Sequence, residues 1–203
     1  MKKFIFQIIF YTLVIMNYNS VLYSEEKNYK IIKLVNDKVI TNYDLEKRLK
    51  LYSTLNNVNI NKENIDILAN RILSLMVDEK LQIEHIKLYK VSIEQDQIDE
   101  YIKRAYLKEN QDINDLIIAL EKNAIEIDLL RKKIEIQLGW STLASKLFYR
   151  NSEINKIDLE NAITKDPSLS EQNIKNNLLQ NQIALRAKKL LRDLRTEANI
   201  ENR

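Results

Sequence analysis

A single hairpin signal precedes a chain that otherwise has the periodicity of helices. Two short β-branched runs, Ile31–Val35 and Lys38–Thr41, flank Asn36-Asp37, two residue types that tolerate the left-handed backbone of a tight turn. Thr41 and Asp44 then have the spacing of a capping box, which predicts that a helix begins directly after the second run. Because an isolated two-stranded hairpin is only marginally stable, we expect another segment of the chain to pair with it.

Apolar residues recur at helical spacing through the rest of the chain. After a first helix that ends before the polar segment 56–61, the pattern predicts helices over about 62–89, 94–109, 113–122, 126–149 and 169–197, with a short one within 154–163. The helices at 62–89 and 126–149 are apolar on two sides, which indicates burial between other helices. Gly139 lies inside the second of these, and we expect it to admit another backbone. Ser168 and Glu171 predict a second capping box.

The last six residues, Ala198–Arg203, alternate between apolar and polar types, which is typical of a strand. A strand at this end of the chain is the obvious partner for the opening hairpin. The predicted fold class is therefore mostly α, with a small β-sheet formed by an N-terminal hairpin and a C-terminal strand.

The composition excludes several classes of site. The chain contains one Gly and one Pro, so phosphate-binding glycine loops and Rossmann fingerprints are not possible. With no Cys and one His, it also lacks the residues for zinc ribbons and for Cys- or His-dyad catalysis. We therefore expect no cofactor and no metal site. Because the single His has no nucleophile or acid partner, we also expect no enzymatic activity.

The N-terminus predicts export. Lys2 and Lys3 precede the apolar run Phe4–Met16, which has the length of a signal-peptide core and is shorter than a membrane span. We expect a signal peptide over residues 1–24 with cleavage near Ser24; the alternative is an uncleaved anchor reaching Tyr23. Of the 32 basic and 29 acidic residues, two lysines and no acid fall within 1–24. The remainder is close to neutral, which argues against a nucleic-acid partner.

Five segments in this order resemble the SurA-like family of periplasmic chaperones. They are Val-Asn-Asp-Lys-Val-Ile-Thr-Asn-Tyr-Asp-Leu (35–45), Leu-Met-Val-Asp-Glu-Lys-Leu-Gln-Ile-Glu (75–84), Val-Ser-Ile-Glu-Gln-Asp-Gln-Ile (91–98), Ile-Glu-Ile-Gln-Leu-Gly-Trp (134–140) and Leu-Leu-Arg-Asp-Leu-Arg-Thr-Glu-Ala-Asn-Ile-Glu-Asn-Arg (190–203). The resemblance spans about residues 30–150 and 175–203. It implies a periplasmic protein that holds unfolded outer-membrane β-barrel chains, with possible partners also in the membrane or the assembly machinery.

The resemblance also implies a division of the chain. Residues 25–150 would form the N-terminal helical domain, and residues 169–203 would supply the helix and strand that complete it. Between them, 151–168 would be a linker where the family usually carries parvulin prolyl-isomerase domains, so the chaperone core alone is expected. The family commonly has a glycine where Lys90 stands, which puts the turn before Val91 in question.

The candidate client-binding residues are aromatic, because burial of apolar surface is non-directional and suits varied clients. They are Tyr101, Tyr106, Trp140, Phe148 and Tyr149. The competing interpretation is that Trp140 and Phe148 are simply core residues.

Other polar candidates have structural explanations. His85 is expected to pack at the edge of the core, and Asp78 and Glu79 to be exposed surface acids. The basic residues over 186–195 are expected to be solvated, with attraction to anionic lipid or an acidic client as the alternative. Two rival functions remain at this point: a prolyl isomerase, and a membrane-anchored structural or interaction protein.

Overall fold

A computed structural model describes residues 29–109 and 111–203, and the predicted signal peptide lies outside the described residues. Within the described ranges the chain forms three strands and seven α-helices. The strands are β1 (Ile31–Val35), β2 (Lys38–Thr41) and β3 (Ile200–Asn202). The helices are α1 (Asn42–Asn56), α2 (Ile65–Leu88), α3 (Gln95–Tyr106), α4 (Ile113–Glu121), α5 (Ile127–Phe148), α6 (Lys156–Lys165) and α7 (Glu171–Glu197). This confirms the mostly helical fold with one small sheet. None of the helices described has the length and hydropathy that a membrane span requires.

The sheet confirms that the C-terminal strand returns to the opening hairpin. Strand β1 lies in the centre and pairs antiparallel with β2 on one side and β3 on the other. Val35 is opposite Lys38 in β2 and opposite Ile200 in β3. Of the two turn residues, Asn36 has a positive φ of 53°. The hairpin thus obtains from the end of the chain the third strand that its stability requires.

The capping box at the start of α1 is present as predicted. The Thr41 side chain accepts a hydrogen bond from the Asp44 backbone N–H at 3.1 Å, and the Thr41 backbone N–H donates to Asp44 Oδ2 at 2.9 Å. Two of the orphan donors at this helix end are thereby satisfied, so the chain passes from strand to helix without a loop.

At the end of α2, Lys90 adopts the left-handed conformation that favours glycine, with φ 51°. The Val91 N–H donates to the Ile86 carbonyl at 3.0 Å and the Lys90 N–H donates to the Lys87 carbonyl at 3.1 Å, which is the hydrogen-bond pattern of a Schellman motif. Lys90 therefore forms the turn before Val91 in the backbone conformation that a glycine would adopt there.

Two local predictions were wrong. Helix α7 is capped by Ser170, whose hydroxyl accepts from the Asn173 N–H at 3.3 Å, whereas Ser168 donates to Asp166 at 2.6 Å. The cap must directly precede the first helical residue, and Ser170 occupies that position. At Gly139 the close neighbour is the side chain of Ile86 rather than another backbone.

The core consists of three clusters of buried residues. One joins α1, α3, α4 and α5 around Ile102, Leu120 and Leu130. A second packs the sheet on α2 and receives Leu191, Leu194 and Ile200 from the C-terminal part of the chain. A third lies between α5 and α7 and includes Ala144, Ile183 and Ala187. Helix α2 packs against α1, α5 and α7, which confirms that it is buried between other helices.

Candidate functional site

Three of the five candidate aromatic residues lie on the same side of α5. The Gln137 amide donates to the Tyr101 hydroxyl at 2.7 Å, which places the Tyr101 ring of α3 beside this position of α5. Gln137, Trp140 and Phe148 share one face of the helix through the spacing i, i+3, i+11. Trp140 and Phe148 also pack against the cluster of α5 and α7. We call Tyr101, Trp140 and Phe148 the aromatic row.

The aromatic row is partly exposed along its whole length. Each of its three side chains has an intermediate exposure, so each is anchored in the core and keeps part of its ring in contact with solvent. From Gln137 to Phe148 the helix rises by about 16 Å, at 1.5 Å per residue. An extended peptide rises by about 3.3 Å per residue, so the row matches a segment of about five residues.

The other two candidates lie apart from this arrangement. Tyr106, at the end of α3, lines a separate cavity of about 370 Å³ with Leu55 and Leu116. Burial, followed by the proximity of Tyr101, raises the pKa of the Tyr106 hydroxyl. Tyr149 is 59% exposed in the 3-10 turn that follows α5. The row therefore includes three of the five predicted residues, and Tyr106 and Tyr149 are not part of it.

The polar candidates are used in structural contacts. His85 is half-buried, with Nδ1 3.3 Å from the Leu81 carbonyl oxygen. Asp78 and Glu79, expected to be exposed, are partly buried in ion pairs between helices. Arg195 donates to Asp78 at 2.8 Å and to the Ser74 hydroxyl at 3.0 Å, and Arg48 pairs with Glu79. Desolvation raises the pKa of Asp78, and the charge of Arg195 opposes that effect.

The basic residues of α7 divide into two groups. Arg195 is held by α2 through Asp78, and Lys189 pairs with Asp193 at 3.0 Å one turn along the same helix. Arg186 and Lys188 are exposed. Most of this stripe is solvated, as expected, whereas Arg195 fastens α7 to α2.

A cleft formed by α1, α2 and α5 was not predicted from the sequence. It is lined by apolar residues together with Arg48, Glu79 and Lys133. Two features of the sequence could have indicated this cleft. Glu79 interrupts the apolar row of α2, and Arg48 lies beside the apolar stripe of α1. Complementary charges at such positions indicate an ion pair between two helices. Among the described residues, no group of three or more potential ligands is arranged to hold a metal ion.

No protein-family model matches the chain. The chain is similar to a protein named Chaperone SurA from Buchnera aphidicola (subspecies Schizaphis graminum), with 30% identity over 118 residues. This alignment covers 57% of the chain and 26% of that relative, so the chain spans about a quarter of the length of the curated protein that it matches. The similarity is thus to part of a chaperone.

Proposed function

We propose that the protein is a periplasmic chaperone that holds unfolded outer-membrane proteins through the aromatic row, without isomerase activity. The observation that carries the proposal is the similarity to part of Chaperone SurA. The partly exposed rings of Tyr101, Trp140 and Phe148 support it, since they offer apolar surface to an extended segment without requiring a particular sequence. Binding and release by this surface need no cofactor and no chemical step.

The absence of isomerase activity is proposed from the segment between α5 and α7. This segment contains a 3-10 turn and the ten residues of α6, and α6 packs on α7. The family's parvulin domains occupy the corresponding position, and an insertion this short leaves no room for one. A peptide assay of prolyl isomerisation is therefore expected to show no acceleration above the uncatalysed rate.

The central experiment measures aggregation of an outer-membrane β-barrel protein diluted from urea, followed by light scattering. The protein is expected to suppress the scattering at an equimolar or small molar excess. If the protein is folded by circular dichroism and leaves the aggregation unchanged, the chaperone proposal is wrong.

Trp140 makes the site itself observable, because it is the protein's single tryptophan. A tryptophan-free unfolded client that covers the row is expected to shift the Trp140 emission to shorter wavelength, since burial removes water from the indole. Phe148→Ser is expected to weaken suppression of aggregation, because it removes apolar surface worth about 25 cal/mol per Å². The matched control is Tyr29→Ser, which alters an exposed ring that contacts Tyr43 outside the row.

The proposed location requires export of the chain. N-terminal sequencing of the protein from a periplasmic fraction is expected to find a start close to residue 25. An intact N-terminus in a membrane fraction favours the anchored interaction protein instead.

A further inference from the structure

A cleft of about 240 Å³ opens where α1, α2 and α5 meet. Four of its lining residues are apolar, and we call them the floor: Met76, Ile83, Leu129 and Ile136. This volume is below the usual range of pockets for drug-sized molecules, about 300–1,000 Å³. The cleft therefore suits a group of the size of one amino-acid residue.

The lining of the cleft carries more positive than negative charge. Five basic side chains line it, and they are Lys47, Arg48, Lys80, Lys132 and Lys133. The two acidic residues in the lining are already engaged: Asp44 caps α1, and Glu79 pairs with Arg48.

The basic side chains differ in whether a neighbouring group offsets their positive charge. Lys132 pairs with Glu135 at 2.7 Å, and the Lys47 ammonium lies 4.7 Å from the centre of the Tyr43 ring. Within the ranges that the structure describes, neither Lys80 nor Lys133 forms a salt bridge. The cleft thus presents two ammonium groups that can receive an anion.

One charged side chain beside the cleft also has a nitrogen that lacks a hydrogen-bond partner. Arg48 Nη1 is closed off from solvent and has no hydrogen-bond partner among the described residues. Desolvation lowers the pKa of Arg48, and desolvation followed by the charge of Arg48 lowers the pKa of Lys133. Positive charge held partly away from water is unfavourable, and an anion bound beside it relieves that cost.

We propose that this cleft binds the C-terminal residue of an unfolded chain, with the α-carboxylate held by Lys80 and Lys133 and an apolar side chain on the floor. The nature of the occupant, though not the anion site, rests on the proposed chaperone function. The cleft is separate in its lining residues from the aromatic row, so it is a second contact for the same kind of client.

Charge and shape together favour a chain terminus over an internal acidic residue. In an extended peptide neighbouring side chains point to opposite faces, so an internal carboxylate and the next apolar side chain do not enter one small cleft together. A C-terminal residue carries both groups on a single Cα. A long acyl chain also has a carboxylate and apolar carbon, but most of its length would lie outside a cleft of this size.

The test compares two labelled peptides, Gly-Ser-Gly-Ser-Gly-Leu with a free C-terminal carboxylate and the same peptide with a C-terminal amide. Fluorescence anisotropy is expected to show at least tenfold tighter binding of the free acid. Lys133→Gln and Lys80→Gln are each expected to weaken binding of the acid by about three- to tenfold and to leave the amide unchanged. The matched control is Lys103→Gln, which removes an exposed charge on α3. A third arm uses decanoate as a competitor.

The outcomes separate this inference from the proposed function. Equal binding of acid and amide, or an equal loss in Lys103→Gln, overturns the terminal-carboxylate site. Lys133-dependent binding of decanoate that is tighter than that of the free acid overturns the peptide occupant in favour of a lipid. If the protein suppresses aggregation but does not prefer the free-acid peptide, only the terminal-carboxylate site is wrong. If the free acid binds as expected and aggregation is not suppressed, the proposed chaperone function falls and the carboxylate site stands.

Discussion

Asn36 and Asn199 are joined by two hydrogen bonds, although 163 positions separate them in the sequence. The Asn36 N–H donates to the Asn199 carbonyl at 2.8 Å, and the Asn199 N–H donates to Asn36 Oδ1 at 3.0 Å. The Asn36 amide also donates to Glu84 of α2 at 3.0 Å. One turn residue therefore connects the hairpin, the entry to β3 and the central helix.

The role of Asn36 can be divided by two substitutions. Asn36→Ala is expected to lower the free energy of unfolding by about 2–3 kcal/mol, because it adds left-handed backbone strain to the loss of side-chain hydrogen bonds. Asn36→Gly keeps the backbone conformation without strain and is expected to cost about 1 kcal/mol. Urea unfolding measures both. If both substitutions lower the free energy of unfolding equally, the positive φ of Asn36 imposes no measurable cost on alanine.

Removal of residues 199–203 is expected to destabilise the whole protein by about 3 kcal/mol. The deletion removes the hydrogen bonds between β1 and β3, at about 1 kcal/mol for a net protein hydrogen bond, and the partly buried side chain of Ile200. The measurement is thermal unfolding followed at a helical wavelength. If the truncated protein melts at the same temperature as the full chain, the sheet closure does not stabilise the fold.

Ala124→Gly is expected to raise the free energy of unfolding by about 0.5–1 kcal/mol. Ala124 has a φ of 56° after α4, where the Ile125 N–H donates to the Leu120 carbonyl at 3.1 Å. Glycine relieves the steric cost of that conformation, which exceeds its entropic cost in the unfolded chain. The matched control is Ala119→Gly within α4, which is expected to lose about 1 kcal/mol. Denaturation by urea distinguishes the two signs.

Gly139→Ala is expected to be close to neutral in the wild-type protein and stabilising in an Ile86→Val background. A Cβ at this position would lie 3.1 Å from Ile86 Cδ1, so crowding offsets the gain of about 1 kcal/mol from replacing a helical glycine. In the Ile86→Val background that methyl is absent, and Gly139→Ala is expected to stabilise by about 1 kcal/mol. A double-mutant cycle measures the coupling. Identical effects in both backgrounds would rule out the proposed contact.

Lys133 is expected to make stability rise with pH in the alkaline range. Its pKa is lowered below 10.5 by desolvation and then by Arg48, so the folded protein loses this proton before the unfolded chain does. The cost of the charge is therefore present at neutral pH and is relieved as pH rises through the lowered pKa towards 10.5.

Lys133→Met is accordingly expected to stabilise the protein at pH 7 and to flatten this alkaline rise. Urea unfolding at several pH values measures the slope, and Lys103→Met serves as the exposed control. An unchanged slope in Lys133→Met would mean that another group titrates there.

The structure shows which parts of the fold were encoded locally. The strands on either side of Asn36-Asp37, the Thr41–Asp44 capping box and the apolar rows of α2 and α5 were all predicted, because each depends on residues within a few positions of one another. The α7 cap was misplaced by two residues because serines occur at both 168 and 170. Glu171 gives Ser168 the spacing of a capping box, whereas Ser170 has Asn173 at that distance, so the spacing rule favoured Ser168 and only the backbone decides that the helix begins after Ser170.

The sequence offered residues for the aromatic row but did not indicate how they are arranged. Aromatic residue type identified Tyr101, Trp140 and Phe148, but their alignment depends on the packing of α3 against α5 through the contact between Tyr101 and Gln137. The basic cleft was not predicted, since its lining comes from three helices that are distant in the sequence. The sequence pattern of one helix does not show which other helix packs beside it. It therefore does not show whether a charged residue at the edge of the apolar face is paired with an opposite charge.

The sequence by itself determined the helices, the hairpin and the exclusion of glycine-loop and cysteine chemistry, because these follow from local periodicity and residue inventory. Tertiary structure alone decided that Asn36 meets Asn199 and that Asp78 and Glu79 are paired with Arg195 and Arg48. It also decided that Lys80 and Lys133 line the same cleft as four apolar side chains. The physical reason is that burial and charge compensation are properties of neighbours in space. Folding brings together residues that are far apart in the sequence, so their contacts cannot be predicted from local patterns.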